Sequence, residues 1–299
     1  MEHYPVLLKE SIELLDVCPD RVYVEATSGL GNHTRAIAAM LTSGRLYACD
    51  RDQESLAKAK TFCAEFADRI EFVHCKFSEL RAVLKDRGVE RADGLLADLG
   101  VSRYQLTDAE RGFSFQNDGP LDMRMSRSDG PTAADIVNFT AERQLADWIY
   151  QLGEERSSRQ IAAAVLRARP IRSTLHLAGV IEKAVRRTGK LHPATKTFMA
   201  LRQLVNEEPG DLDALLTAAP ALTAPDGRIA IISFMSLEDR RVKRAFQALA
   251  REGRAELLNK HVIVPSAGEV NSNSASRSGK LRGLRMLDQG KSRQNQWER

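Results

Sequence analysis

The sequence predicts an α/β fold: a Rossmann-like parallel sheet interrupted by an all-helical insert. Three observations carry this. Strand and helix patterns alternate over the first hundred residues, the strand signal vanishes between about Tyr104 and Asp213, and the α/β rhythm then returns. In order, Val6 to Asp16 is an amphipathic helical pattern and Val22 to Ala26 a short β-rich run. His33 to Leu41 is helical and punctuated by Gly44, and Arg45 to Cys49 is the next strand. A helix over Gln53 to Phe66, a strand over Glu71 to Cys75, a helix to Arg87 and a strand over Gly94 to Leu99 follow. This rhythm implies a parallel sheet covered on both faces.

Leu106 to Gly130 is rich in Asp, Gly, Ser and Arg and reads as a long ordered loop. Helical patterns then run over Ala133 to Tyr150, Ser157 to Arg169, Thr174 to Arg187 and Thr195 to Glu207. After a helix over Leu212 to Leu222, the turn Ala224-Pro-Asp-Gly227 leads into the strand Arg228 to Phe234. Ser236 to Asp239 resembles a capping box opening a helix to Arg251. His261 to Val264 and Lys280 to Leu287 are expected to close the sheet as an edge hairpin, joined by a mobile polar run, Asn271 to Arg277. The tail from Lys291 to Arg299 reads as frayed. The division is 1–104 with 214–299, and an inserted helical domain over 105–213.

Composition narrows the class. At 299 residues, 43% apolar and 28% charged, the chain can bury a large core and is not a disordered polymer. The net charge of +4 permits a nucleic-acid partner without requiring one. Apolar runs are too short for a membrane span, so no membrane partner is expected. The four cysteines lack metal-ligand spacing and the six histidines are scattered. The expectation is therefore no metal, and a reducing, cytoplasmic compartment with Cys49 and Cys75 as small core residues.

The turn after the first strand reads Glu25-Ala-Thr-Ser-Gly29-Leu-Gly31-Asn-His33-Thr34. Paired glycines between strand and helix let the backbone turn sharply and approach a ligand. The next strand ends in Asp50, placed to accept hydrogen bonds from ribose hydroxyls. Thr34 occupies the place of the third glycine expected beneath a pyrophosphate, and Glu25 puts a carboxylate beside the loop. That carboxylate would repel pyrophosphate but attract the cationic amino-acid end of S-adenosylmethionine (SAM), so SAM is favoured over NAD. His33 either offers only its backbone amide or touches the ligand. The fourth strand ends in Asp98, where parallel sheets place their chemistry, and Gly100 relieves crowding beyond it.

The order of motifs resembles the RsmH/MraW family of bacterial methyltransferases, which act on the exocyclic amine of a cytidine in 16S ribosomal RNA. The resemblance rests on HYPVLLKES from His3, the glycine loop, CDRD from Cys49, ADLGVSRYQL from Ala97 and DAERGFSFQNDGPLDMRM from Asp108. It continues through GEERSSRQIA from Gly153, HPATKTFMALRQLVNEE from His192 and ISFMSLEDRRVKR from Ile232. It implies a SAM-dependent methyltransferase sheet with a helical substrate domain, and SAM contacts at Gly31, Asn32, His33, Asp50, Phe77, Asp98 and Gln105. It also implies 16S rRNA within the small ribosomal subunit as partner, with a homodimer as an admissible assembly. Glu25, Asn32 and Met235 stand where the family usually has Asp, Gly and His.

In this reading Asp98 is the catalytic acceptor of the cytosine amine and its proton. Arg111 to Phe115 and Asp122 to Met125 either wall the pocket of the flipped base or form an ordered loop pinned by buried Phe and Met. Candidate phosphate contacts are Lys196, Arg202, Arg240, Arg241, Lys243, Arg244, Arg277, Lys280, Arg282 and Arg285. Two alternatives stand beside it: a SAM enzyme for a protein or small molecule, and a non-catalytic ribosome assembly factor.

Overall fold

A computed structural model describes residues 5–128, 130–187, 189 and 191–288; His3, Tyr4 and the tail from Lys291 lie outside them. The chain opens with α1 (Leu8–Leu15), β1 (Val22–Glu25), α2 (Asn32–Met40), β2 (Arg45–Asp50) and α3 (Gln53–Phe62). β3 (Ile70–His74), α4 (Leu80–Lys85) and β4 (Ala92–Asp98) follow. A helical stretch then contains α5 (Arg103–Thr107), α6 (Ala133–Phe139), α7 (Glu142–Gly153), α8 (Ser158–Ala168), α9 (Thr174–Ala184) and α10 (Thr195–Val205). The sheet resumes through α11 (Glu208–Leu222), β5 (Thr223–Ser233), α12 (Ser236–Arg251), β6 (Ala255–Leu257), α13 (Ala267–Ser272) and β7 (Lys280–Met286). The chain divides into two compact units, 1–100 with 210–299, and 101–209.

In the α/β unit the sheet order is β3-β2-β1-β4-β5-β7-β6. The first five strands in that order are parallel, and β7 is antiparallel to both β5 and β6. The period-2 pattern sorts side chains to two faces. Val24, Leu95, Ala97, Ile229 and Ile231 pack with Leu80, Leu84, Leu215, Val242 and Phe246. Tyr23, Leu96, Ala230 and Ile232 pack with Leu15, Ile37 and Ala38 on the other face. Cys49 and Cys75 are buried core residues. Because the chain goes from β1 outward to β2 and β3 and then returns to β4 and β5, the strand order reverses between β1 and β4. Ligands of open parallel sheets bind at such a reversal, beyond the carboxyl ends of the strands.

The sheet edge corrects the sequence reading. Its last strand is Ala255–Leu257, paired with β7, while His261 to Val264 contributes only an isolated bridge, Ile263 to Leu281. Three residues are too few for a period-2 signal, so β6 was invisible to pattern. The polar run Asn271 to Arg277 is also ordered locally: α13 is capped by Ser266, its Glu269 accepts from the Leu7 amide at 2.9 Å, and Ser276 is buried. The start of α12 differs too: Met235 is the cap residue, and Glu238 accepts from the Phe234 and Met235 amides at 3.2 and 3.1 Å.

The helical unit has its own core, with Leu145, Ile149, Ile161, Leu177, Phe198 and Leu201 among its buried members. The run from Arg111 to Met125 is a pinned loop, not an open aromatic wall. Phe113, Met123 and Met125 are buried in that core. The Arg111 guanidinium, 1% exposed, donates to the carbonyls of Arg124 (3.1 Å) and Met125 (2.9 Å). Arg124 in turn forks onto Asp122 at 2.8 and 3.0 Å.

Candidate cofactor and catalytic site

The site is built where β1, β2 and β4 end. After β1 the chain passes through Gly29 and Gly31, both left-handed (φ 53° and 90°), before α2 begins at Asn32. At Gly31 a Cβ would sit 2.9 Å from Cys63 Sγ and 3.2 Å from the Ala59 Cβ, so φ and packing both require glycine. At Gly29 a Cβ would meet nothing within 4 Å.

Asp50 closes β2 with both oxygens engaged: Oδ2 accepts from the Gly29 amide at 2.7 Å, Oδ1 from the Asp52 amide at 2.8 Å. Burial pushes its carboxyl up to about 6, against the two amides that favour the charged form. Asp52, the last residue of the CDRD run, caps α3 by accepting from the Glu54 and Ser55 amides at 3.0 and 3.3 Å.

Glu25 ends β1 and is fully buried. One oxygen accepts from the Thr34 hydroxyl, which contacts Ser28 Oγ at 3.0 Å. The other, Oε1, has no hydrogen-bond partner among the described residues. Burial raises the Glu25 carboxyl to about 8; the Thr34 bond opposes the rise, and nearby Asp98 and Asp50 add to it. Asp98 ends β4, its amide donating to Thr27 Oγ1 at 2.6 Å. Its Oδ2 lies 3.9 Å from His33 Nδ1, while Oδ1 is buried and has no hydrogen-bond partner among the described residues. Burial, and then the like charge of Glu238, raise it to about 7.

Thus Gly31, Asn32, His33, Asp50 and Asp98 stand on neighbouring strand ends and their turns. Phe77 lies in the β3–α4 connection, half-buried against the core. Its loop is tied to the residue after Asp50: Asp211 accepts from the Ser78 amide at 3.2 Å and from Arg51 Nη1 at 3.4 Å. Gln105 belongs to the helical unit, where its side-chain oxygen accepts from the Ser102 amide at 2.8 Å and its own amide donates to Ser102 Oγ at 3.2 Å, a capping box for α5. Sequence reasoning missed Thr27, Thr34 as Glu25's donor, and the Arg51–Asp211 tie. The one signal among these was Thr34, standing where a third glycine is expected.

The proposed phosphate contacts thin out. Arg202 forks onto Glu208 at 2.8 and 2.8 Å, Arg241 pairs with Asp213 at 2.8 Å, and Arg285 with Glu256 at 2.6 Å. Arg282 forks onto Asp239 at 2.7 and 3.2 Å, and Lys196 donates to the Glu154 carbonyl at 3.0 Å. Arg240, Lys243, Arg244 and Arg277 are exposed, with no ion pair among the described residues.

Comparison with known proteins agrees over nearly the whole chain. The family described as "MraW methylase family" matches residues 1–287. The Ribosomal RNA small subunit methyltransferase H of Solibacter usitatus is 56% identical over 284 residues, covering 95% of this chain and 99% of the relative. Proteins of the same name from Koribacter versatilis and Acidiphilium cryptum are 46% and 43% identical, covering 94% and 96% of this chain and 92% and 98% of their own.

Proposed function

The chain belongs to the MraW methylase family, and we propose that it moves the methyl group of SAM to the exocyclic N4 amine of a cytidine in small-subunit 16S rRNA. One observation supports the chemistry above all: Glu25 Oε1 and Asp98 Oδ1 are buried acceptors without partners, on the two strand ends where the sheet order reverses. Buried acceptors are costly until a donor reaches them. A ligand carrying an ammonium and a sulfonium fits that pair; a pyrophosphate does not.

When bound, SAM supplies a methyl group already activated by positive sulfur. The chain's residues do the rest. Asp50 keeps lone pairs for the ribose hydroxyls, and the two backbone amides hold it in place. Glu25 takes the amino-acid end, and the Thr34 hydroxyl donates to one of its oxygens. Gly31, Asn32 and His33 line the loop side, and Phe77 offers an apolar wall to adenine. Asp98 accepts a hydrogen bond from the cytosine amine, localising electron density on nitrogen, and takes the proton as the methyl transfers. A carboxyl raised to about 7 is a base matched to neutral pH. Holding amine and methyl in line contributes the larger proximity effect.

The target base has to leave its stack, and the helical unit, 101–209, is the substrate-recognition domain in this reading. Its setting is the cytoplasm, its substrate the small ribosomal subunit and a homodimer an admissible assembly; no described helix is long and apolar enough to cross a membrane. The test is to incubate the protein and SAM with unmethylated small subunits and with their naked RNA, then map modified nucleosides by mass spectrometry. N4-methylcytidine is expected. Methyl groups on a ribosomal protein, or none in RNA, would sink the proposal.

A further inference from the structure

The helical unit contains a cavity of about 650 Å³ between the start of α8 and the chain leaving α9. Ser157 and Gln160 line one side, and Glu182, Lys183, Arg186 and Arg187 the other. The Gln160 side-chain amide donates to the Ala184 carbonyl and braces the two sides. Arg156 and Arg159 flank Ser157 in sequence and are exposed.

The charge around this cavity is unbalanced. Lys183, Arg186, Arg156 and Arg159 are exposed and have no ion pair among the described residues. Elsewhere in the same unit Arg124 and Arg202 each fork onto a carboxylate. The carboxylates nearby are otherwise engaged: Glu155 Oε1 accepts from the Ser157 amide at 2.8 Å, and Glu182 lies 3.8 Å from His192 Nε2. Like charges gathered around a concavity repel one another and attract a polyanion. The charged lining is mostly cationic, and the apolar lining residues, Ala184, Val185 and Pro193, include no aromatic or large aliphatic side chain. Protein partners are held at apolar and aromatic centres, whereas Arg and Lys are the ordinary contacts of a nucleic-acid backbone.

We propose that this basic cavity is a binding site for the phosphate backbone of the RNA substrate. It rests on the functional reading above for the identity of the polyanion, and assigns RNA contacts to Lys183, Arg186 and Arg187, none of which the sequence had suggested. Their role is affinity and register, not chemistry. Guanidinium forks suit phosphate oxygens, and Lys183 adds a point charge.

The test compares two triple variants of the full chain. Lys183→Ala/Arg186→Ala/Arg187→Ala removes the cavity's charge. Arg81→Ala/Lys85→Ala/Arg91→Ala removes the same charge from exposed positions of the α/β unit. Binding of a fluorescein-labelled single-stranded 16S rRNA fragment is followed by anisotropy across a salt series, with SAM affinity measured by calorimetry. The cavity variant should bind RNA about tenfold more weakly or worse, and its log–log salt slope should flatten by about two, since each lost phosphate contact removes about 0.7. SAM affinity should be unchanged, and the control should bind RNA like the wild type. Equal weakening by both variants, or none by the cavity variant, would overturn the proposal. So would weakened binding to whole small subunits with unaltered binding to naked RNA, which would assign the cavity to a ribosomal protein. A wild-type chain that binds SAM but neither binds nor methylates rRNA would instead overturn the functional reading itself.

Discussion

The two units differ in how they treat their polar groups. In the helical unit the side chains that hold the irregular chain are engaged with backbone, although Thr197 Oγ1 is buried with no partner among the described residues. Arg111 serves the carbonyls of Arg124 and Met125; Asn206 accepts from the Met125 amide at 2.7 Å and donates to the Met123 carbonyl at 2.7 Å. Asn138 likewise bridges the amide and carbonyl of Ile171, at 2.7 and 3.0 Å. Such bonds make irregular chain rigid without helix or strand. In the α/β unit, Glu25 and Asp98 are carboxylates with a buried oxygen left over. Leaving an acceptor unsatisfied costs stability, so the difference teaches where each unit does its work. One fixes a shape and carries charge on its surface, and the other holds unfulfilled chemistry at its strand ends.

The largest way to break this contrast is Asp98→Asn. The amide is nearly isosteric, so the fold should survive. Loss of the proton acceptor should lower kcat by about 10²- to 10⁴-fold. In the wild type kcat/KM should rise with pH as the carboxyl ionises around 7, and the residual activity of the variant should lack that rise. The same substitution should raise the stability of the ligand-free protein. A carboxyl whose folded-state value lies above its unfolded value carries no penalty below the unfolded value and loses stability as pH climbs toward the folded one. Asp98→Asn should therefore be stabilising by about 4 kcal/mol at pH 8 and neutral near pH 3, as read from urea melts.

On the other side of the comparison, Arg111→Ala should do the reverse. It strips two buried carbonyls of their donor and opens a cavity, a destabilisation of about 3 kcal/mol by urea unfolding. A smaller loss, below about 1 kcal/mol, would mean the loop is not held from within. Smallest is the glycine pair. Gly31→Ala strains a left-handed residue and presses on Cys63 and should cost about 2 kcal/mol; Gly29→Ala has space and should cost about 1 kcal/mol. Equal costs would show that packing under α3 is unimportant.

Much of this contrast was legible in the sequence, unevenly. The α/β rhythm, the glycine turn and the two Asp-terminated strands are local patterns with local causes. So is the stretch without strands. What escaped was set by distance in the chain. Three-residue β6 exists because β7 offers an edge, and Glu269 reaches back to Leu7 across the whole fold. The roles of Arg111 and of Arg282 with Asp239 also depend on partners no pattern names. Charge alone misled: Arg202, Arg241, Arg282 and Arg285 are paired, while the cationic cavity around Lys183 and Arg186 carried no motif. At the site, Asp50 and Asp98 were named from position, yet Thr34's bond to Glu25 needed coordinates.

The most direct test of the account is calorimetric titration of SAM into the wild type and Glu25→Gln between pH 6.5 and 7.5, in buffers of different ionisation heat. Glu25 is protonated in the free protein below about 8 and has to ionise to meet the cationic ligand. Wild-type binding should release a proton and tighten about tenfold over that unit of pH, while Glu25→Gln should bind more weakly and with little pH dependence. Equal, pH-independent binding by both proteins would show that the buried carboxylates at the strand ends do not hold the cofactor.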